Sequence, residues 1–248
     1  MQKLVIVVPS YNCEKWIGKT IDSIKKQTYE NFICILVDDI STDNTYETMK
    51  TLTSEDPRFI CILNKQKKYA LKNFVDCFRN YSKDPEDILI QIDGDDWLYD
   101  DSALETVVEK YKSTNCLMTY GSFIEYPSGV THDYYLKPYS KEVVKNNAFR
   151  EVPWKASHLR TFKAKLWNRI KDHDLIDEET GLHYEVTCDL ALMFPMLEMA
   201  GERSEHIEKI LYCYNKTNPL SDMYVKEKEQ IRLANKIRNK KKYERESL

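Results

Sequence analysis

Four short apolar runs, at residues 4–8, 33–37, 59–63 and 88–92, punctuate the first hundred positions, and the segments between them change to a three- and four-residue spacing. Apolar runs of that length without alternation fit strands buried on both faces. Trp16, Ile17, Ile21 and Ile24 mark the stripe of a first helix, Tyr46, Met49 and Leu52 a second, and Leu71, Phe74, Val75 and Phe78 a third. The order predicts a βαβαβαβ unit, and hence an α/β fold with a mostly parallel sheet flanked by helices. Asn12 stands where it would cap the first helix, and Ser41, Thr42 and Asp43 where they would cap the second. Further on, Leu104, Val107, Val108 and Tyr111 predict a helix, 116–125 a strand, Pro127-Ser128-Gly129 a turn, 189–199 a helix and 207–214 a last strand. The chain closes in a charged helix and tail, where nine Lys or Arg face four Glu from residue 226 onward.

Composition narrows the class without naming a partner. With 248 residues, 42% of them hydrophobic and 31% charged, a sizeable core is possible and disorder is not expected. The net charge of −3 points to no partner, and none of nucleic acid is expected. No apolar run approaches the ~20 residues that span a bilayer, and the first run is too short for a signal peptide, so a soluble, cytoplasmic enzyme is the expectation. Ile231, Ala234 and Ile237 in the basic C-terminal helix give it a thin apolar face, which suggests peripheral contact with an anionic membrane as a further expectation. Seven scattered cysteines without a Cys-x-x-Cys pair read as reduced packing residues.

In open parallel sheets ligands bind beyond the carboxyl ends of the strands, so the residues just after each apolar run matter most. Here they are Pro9-Ser10-Tyr11-Asn12, then Asp38-Asp39, then Asp93-Gly94-Asp95-Asp96. Five carboxylates at one rim repel one another unless a cation or hydrogen-bond donors neutralise them. Such hard oxygen ligands suit Mg²⁺ or Mn²⁺ with a substrate diphosphate. Taken alone, Asp-Gly-Asp serves equally well as an acidic turn before a helix.

The three segments together, with Val37-Asp38-Asp39-Ile40-Ser41 and Ile92-Asp93-Gly94-Asp95-Asp96 at their ends, resemble glycosyltransferase family 2, whose fold is GT-A. The resemblance is strong over 1–112 and thins beyond. It implies an inverting glycosyltransferase that moves a sugar from a nucleoside diphosphate donor, probed first as a UDP-sugar, onto a glycan, protein or lipid-linked acceptor. It divides the chain into a GT-A domain over 1–224, with a nucleotide-sugar-binding part at 1–112 and an acceptor and catalytic-base part at 113–224, followed by the charged segment 225–248. By the same resemblance Pro9, Tyr11, Asn12, Asp38 and Asp39 meet the nucleotide. Asp93, Gly94 and Asp95 then meet ribose and diphosphate, with Asp95 and Asp93 holding Mn²⁺ or Mg²⁺ and Asp96 in support.

Where many members carry a glycine-rich turn and Ala-Arg-Asn, this chain has Lys65-Gln66-Lys67-Lys68-Tyr69-Ala70-Leu71-Lys72-Asn73, and Lys68 and Lys72 are the expected phosphate or base contacts. The family's Glu-Asp at a helix start becomes Cys188-Asp189, which assigns the base to Asp189. Trp154, His158 and Arg160, with Trp167 nearby, supply groups that stack on or bond to sugars and are assigned to the acceptor side. A nucleotidyltransferase and a non-catalytic nucleotide-sugar-binding module remain the alternatives. The first would usually carry a glycine-rich basic loop after strand one, and the second follows if Asp189 stands away from the carboxylates.

Overall fold

The computed structural model describes residues 2–247, so the terminal residue at each end of the predicted segments lies outside the described residues. Strands β1 (Leu4–Ser10), β2 (Phe32–Asp38), β3 (Phe59–Leu63) and β4 (Ile88–Gln91) alternate with helices α1 (Ile17–Lys25), α2 (Thr45–Thr53) and α3 (Tyr69–Tyr81). Then follow β5 (Trp97–Leu98), α4 (Ala103–Thr114), β6 (Met118–Gly121), β7 (Phe123–Tyr126), α5 (Lys141–Lys145), β8 (Ser157–Lys163) and α6 (Ala164–Trp167). The chain ends with β9 (Ile176–Asp177), β10 (Leu182–His183), α7 (Cys188–Ala200), β11 (Ser204–His206), β12 (Tyr212–Asn215), α8 (Asp222–Val225) and α9 (Glu227–Arg238).

The main sheet has the order β11-β6-β8-β4-β1-β2-β3. All its pairings are parallel except those of β8, which runs against both β4 and β6. Alternate strand residues feed two cores. Leu4, Ile6 and Val8 meet Ile17, Ile21, Met49, Leu104 and Val108 on one face. Val5, Val7 and Leu89 meet Phe74, Phe78 and helix α7 on the other. From Leu190 to Ala200 every residue of α7 is buried, as expected for a helix with no polar stripe. The one charge within that buried stretch, Glu198, takes two hydrogen bonds from Arg150, one of them 2.9 Å from Nη2.

Several local expectations change. Asn12 does not cap α1; it adopts φ +52°, and its Oδ1 accepts from Thr42 N at 2.8 Å, tying the first strand end to the second. The span 116–125 is two strands in different sheets, divided at Gly121, where a Cβ would lie 3.0 Å from the Ile207 carbonyl oxygen. Likewise 207–214 is a loop leading into β12, which pairs with β5 and β7 in a small second sheet. The expected thin face of the C-terminal helix is turned inward: Leu233 and Ile237 are buried and Ala234 packs on the core, so only Ile231 faces out. The tail beyond α9 is also docked, with Tyr243 N donating to Glu198 and Glu246 N to the Met199 carbonyl. No helix among the described residues is long and apolar enough to cross a membrane. All seven cysteines are free, and five of them are buried.

Candidate active site

The parallel register of β1 with β2 sets Ser10 beside Asp38, and that of β1 with β4 sets Val7 beside Gln91, so the three polar strand ends share one edge. They open into a cleft of about 620 Å³. Pro9, Tyr11, Asp39, Asp93, Gly94, Asp95 and Asp96 line one side, and His158, Arg160, Asp189 and the 214–230 segment the other. Gly94 is required by close approach: a Cβ there would stand 2.7 Å from Ser10 Cβ and 3.0 Å from the Pro9 carbonyl oxygen.

Asp93, Asp96 and His158 offer ligand atoms that all lie within 4.8 Å of one another. Two of those groups carry an unsatisfied buried atom, Asp96 Oδ2 and His158 Nε2. Buried polar atoms normally find partners, so this pair marks a place for a ligand. Burial pushes Asp93 up to about 6 against the pull of Arg160, with Asp95 and Asp189 adding to the rise. Burial also holds Asp96 well above the usual carboxylate range, reinforced by Asp95 and Asp93. The His158 imidazole is driven well below its ordinary value by burial and then by Arg160, which leaves it neutral with a lone pair. Clustered carboxyl groups of Asp93, Asp95 and Asp96 beside a neutral imidazole are a donor set that fits a divalent cation. The tight group holds Asp96 and His158 where the sequence favoured Asp95; Asp95 stands beside it, with Oδ2 accepting from Asn218 Nδ2 at 2.6 Å.

Asp189 sits in the first turn of α7, and its Oδ2 lies 3.7 Å from Arg160 Nη2. Burial would lower Arg160, but Asp189 and then Asp93 outweigh it and hold the guanidinium charged. One cationic side chain therefore stands between the expected base and the carboxylate cluster. Cys188, beside Asp189 in the cleft lining, is a thiol whose pKa burial raises far above its ordinary value.

Other expected contacts fall elsewhere. Asp38 is fully buried and outside the cleft lining; Oδ1 accepts from Ser41 N at 2.8 Å, and Oδ2 has no hydrogen-bond partner among the described residues. Asp39 lines the cleft, but its oxygens accept from Asn64 Nδ2, Lys68 N and Tyr69 N, so it anchors the 64–69 loop. Lys68 and Lys72 both close on Asp76, outside the cleft lining. Lys67 is the lysine that enters it, with Nζ 2.9 Å from the centre of the Tyr11 ring. Trp154 packs edge-on against Phe194, and Trp167 is buried among Phe78 and Phe162, so neither lines the cleft. His158 stacks on Tyr212 at 4.3 Å, on the floor of the cleft rather than at its rim. Sequence reading also missed Asn215, Asn218, Asp222 and Lys226 in the lining; the signal for them was the cluster Asn215, Asn218, Ser221 and Asp222 at and after a strand end.

This sheet with carboxylates at the strand ends is the architecture of the GT-A glycosyltransferases. The fold likeness is extensive: TarS 1–349 of S. aureus superposes with a TM-score of 0.67 at 18% identity, covering 95% of this chain and 65% of that one. A mannosyltransferase from Pyrobaculum calidifontis, in complex with GDP-Man and Mn²⁺, gives 0.66 at 16% identity over 97% of this chain and 66% of its own. Residues 5–187 match the sequence profile of Glycosyl transferase family 2, and the chain belongs to that family. Among curated relatives, Glycosyltransferase GlyA of Streptococcus pneumoniae is 26% identical over 86% of this chain, and chondroitin synthase of Escherichia coli 27% over 85%. The chain spans 30% and 28% of those two proteins.

Proposed function

We propose that this glycosyltransferase domain transfers a sugar from a UDP-sugar to an acceptor hydroxyl with inversion, assisted by Mn²⁺ or Mg²⁺. The observation that carries the reading is that Asp189 and the Asp93–Asp96–His158 group line one cleft with Arg160 between them. A cation bound there neutralises charge growing on the leaving diphosphate. Asp93, Asp96 and His158 are the residues that would hold it, with Asp95 adjoining. Tyr11 lines the cleft on the nucleotide side, and Lys67, seated on its ring, contributes positive charge toward the nucleotide. Asp38, beside Ser10 at the end of β2, holds the Ser41 N–H and so supports the turn behind the nucleotide side of the cleft. Asp189 takes the proton of the acceptor hydroxyl, and Arg160 holds that carboxylate in place.

Support for the donor class comes from relatives in the fold: TarS has been crystallised with UDP and with UDP-GlcNAc. Seven free thiols suit a reducing, cytoplasmic setting. The test is Asp189→Asn, assayed for sugar transfer beside UDP binding by calorimetry. Transfer should fall by about 10²–10⁴-fold with UDP affinity retained. Transfer within about threefold of wild type would remove Asp189 from the role of base.

A further inference from the structure

The far wall of the cleft comes from a segment after the part matched to the family, and it touches the carboxylates directly. Asn215 N donates to Asp96 Oδ1 at 2.7 Å, and Asn218 Nδ2 donates to Asp95 Oδ2 at 2.6 Å. The Asn218 amide is fixed at both ends, because its Oδ1 accepts from Leu220 N at 2.9 Å. That second bond decides the orientation: the oxygen is spoken for, so the NH₂ group faces Asp95. Asn218 is buried, and the strap that carries it is tied again at Lys226, whose Nζ lies 3.1 Å from Glu185 Oε2 across the cleft mouth. Neighbouring carboxylates each have one oxygen claimed by the same short strap, while Asp96 Oδ2 is left without a partner.

We propose that Asn218 is a positioning residue that orients Asp95 toward the cation and diphosphate, so that the donor site is complete only with the 215–226 strap in place. The inference rests on the functional reading given above. Donation from a neutral amide suits this task. It fixes one oxygen without adding charge, and so preserves the negative potential that draws a cation. A lysine or arginine at that position would neutralise it.

The test is calorimetric titration of Mn²⁺ into the full chain at saturating UDP, with UDP affinity in EDTA and the melting temperature measured alongside. Asn218→Ala removes both hydrogen bonds, whereas Asn218→Ser keeps an oxygen that can accept from Leu220 N but is too short to reach Asp95. Both should weaken Mn²⁺ binding by about 10- to 100-fold, the usual effect of losing an outer-shell partner. UDP affinity in EDTA should stay within twofold. Wild-type Mn²⁺ affinity in Asn218→Ser would overturn the proposal and reduce Asn218 to a shaper of the strap. Equal loss of UDP binding in EDTA would also overturn it, since the whole cleft would then be affected. A wild-type chain showing no Mn²⁺-dependent UDP binding would instead refute the functional reading itself, and this inference with it.

Discussion

Replacing Glu198 by Gln isolates the energetics of the buried pair that joins α7 to the C-terminal tail. The Arg150 and Glu198 side chains are 4% and 0% exposed, so water cannot compensate either charge. Arg150 also donates to the Ile237 carbonyl, and Glu198 Oε2 accepts from Tyr243 N at 3.0 Å, so the pair links α7, α9 and the tail. Gln keeps the shape and one acceptor but leaves the guanidinium uncompensated. Removing one partner of such a pair costs about 3–5 kcal/mol. With an m-value of ~3 kcal/mol/M for a chain of this size, the urea midpoint should fall by roughly 1–1.7 M. Salt should change the difference little, because buried charges are weakly screened. The double variant Arg150→Met with Glu198→Met should recover part of the loss, since two apolar side chains replace two charges, although the Ile237 carbonyl and Tyr243 N–H lose their partners. A loss below about 1 kcal/mol in Glu198→Gln would refute this reading, because it would mean that solvent reaches the pair.

Gly94→Ala should lower stability by about 1–3 kcal/mol through overpacking against Ser10 and Pro9, and it should weaken UDP binding; unchanged melting and affinity would show that the turn yields freely. Lys67→Ala should weaken UDP binding by up to about 5-fold, the reach of one partly exposed charge, whereas Lys68→Ala and Lys72→Ala should leave it within twofold; calorimetry decides. Burial would raise Asp177, but hydrogen bonds from Lys236, the Glu179 N–H and Arg232 outweigh it and hold its carboxyl below the usual range. A depressed carboxyl stabilises the fold above its unfolded value of about 3.9, and that contribution is lost as pH falls through the lower folded value. Urea unfolding should therefore separate wild type from Asp177→Asn near neutrality, with the gap beginning to narrow near pH 3.9 and closing only below the depressed folded value.

The donor half of the site was legible because its chemistry follows its strands in sequence. Buried apolar runs announced β1, β2 and β4, and the residues after them were polar without a structural need to be. Strand β8 was not legible for the opposite reason. Ser157, His158, Arg160, Thr161 and Lys163 are all buried, yet they are polar, so the strand at the heart of the sheet has the composition of a loop. His158 and Arg160 are buried at the site, while Thr161 bonds to Tyr111 and Thr119 and Lys163 to Gln2 and Glu86, and hydrophobic periodicity cannot detect polar residues buried by such pairings. The same limit hid the strap, since Asn215 and Asn218 act through single hydrogen bonds that no pattern of residue types reveals. Lys68 and Lys72 were favoured over Lys67 by their place in the motif; the positive φ of Tyr69 and the Asp39 anchor turn the loop so that Lys67 alone points inward.

Helix α7 carries the proposed base at its first turn and has no solvated side beyond it. An ordinary surface helix can loosen before its protein melts, and a group it carries then drifts out of place at moderate temperature. Here any tilt of the helix must displace core residues on every side, which makes its motion part of global unfolding. Heat inactivation of transfer should accordingly follow the melting curve itself, with no earlier loss of activity in a chain that remains folded.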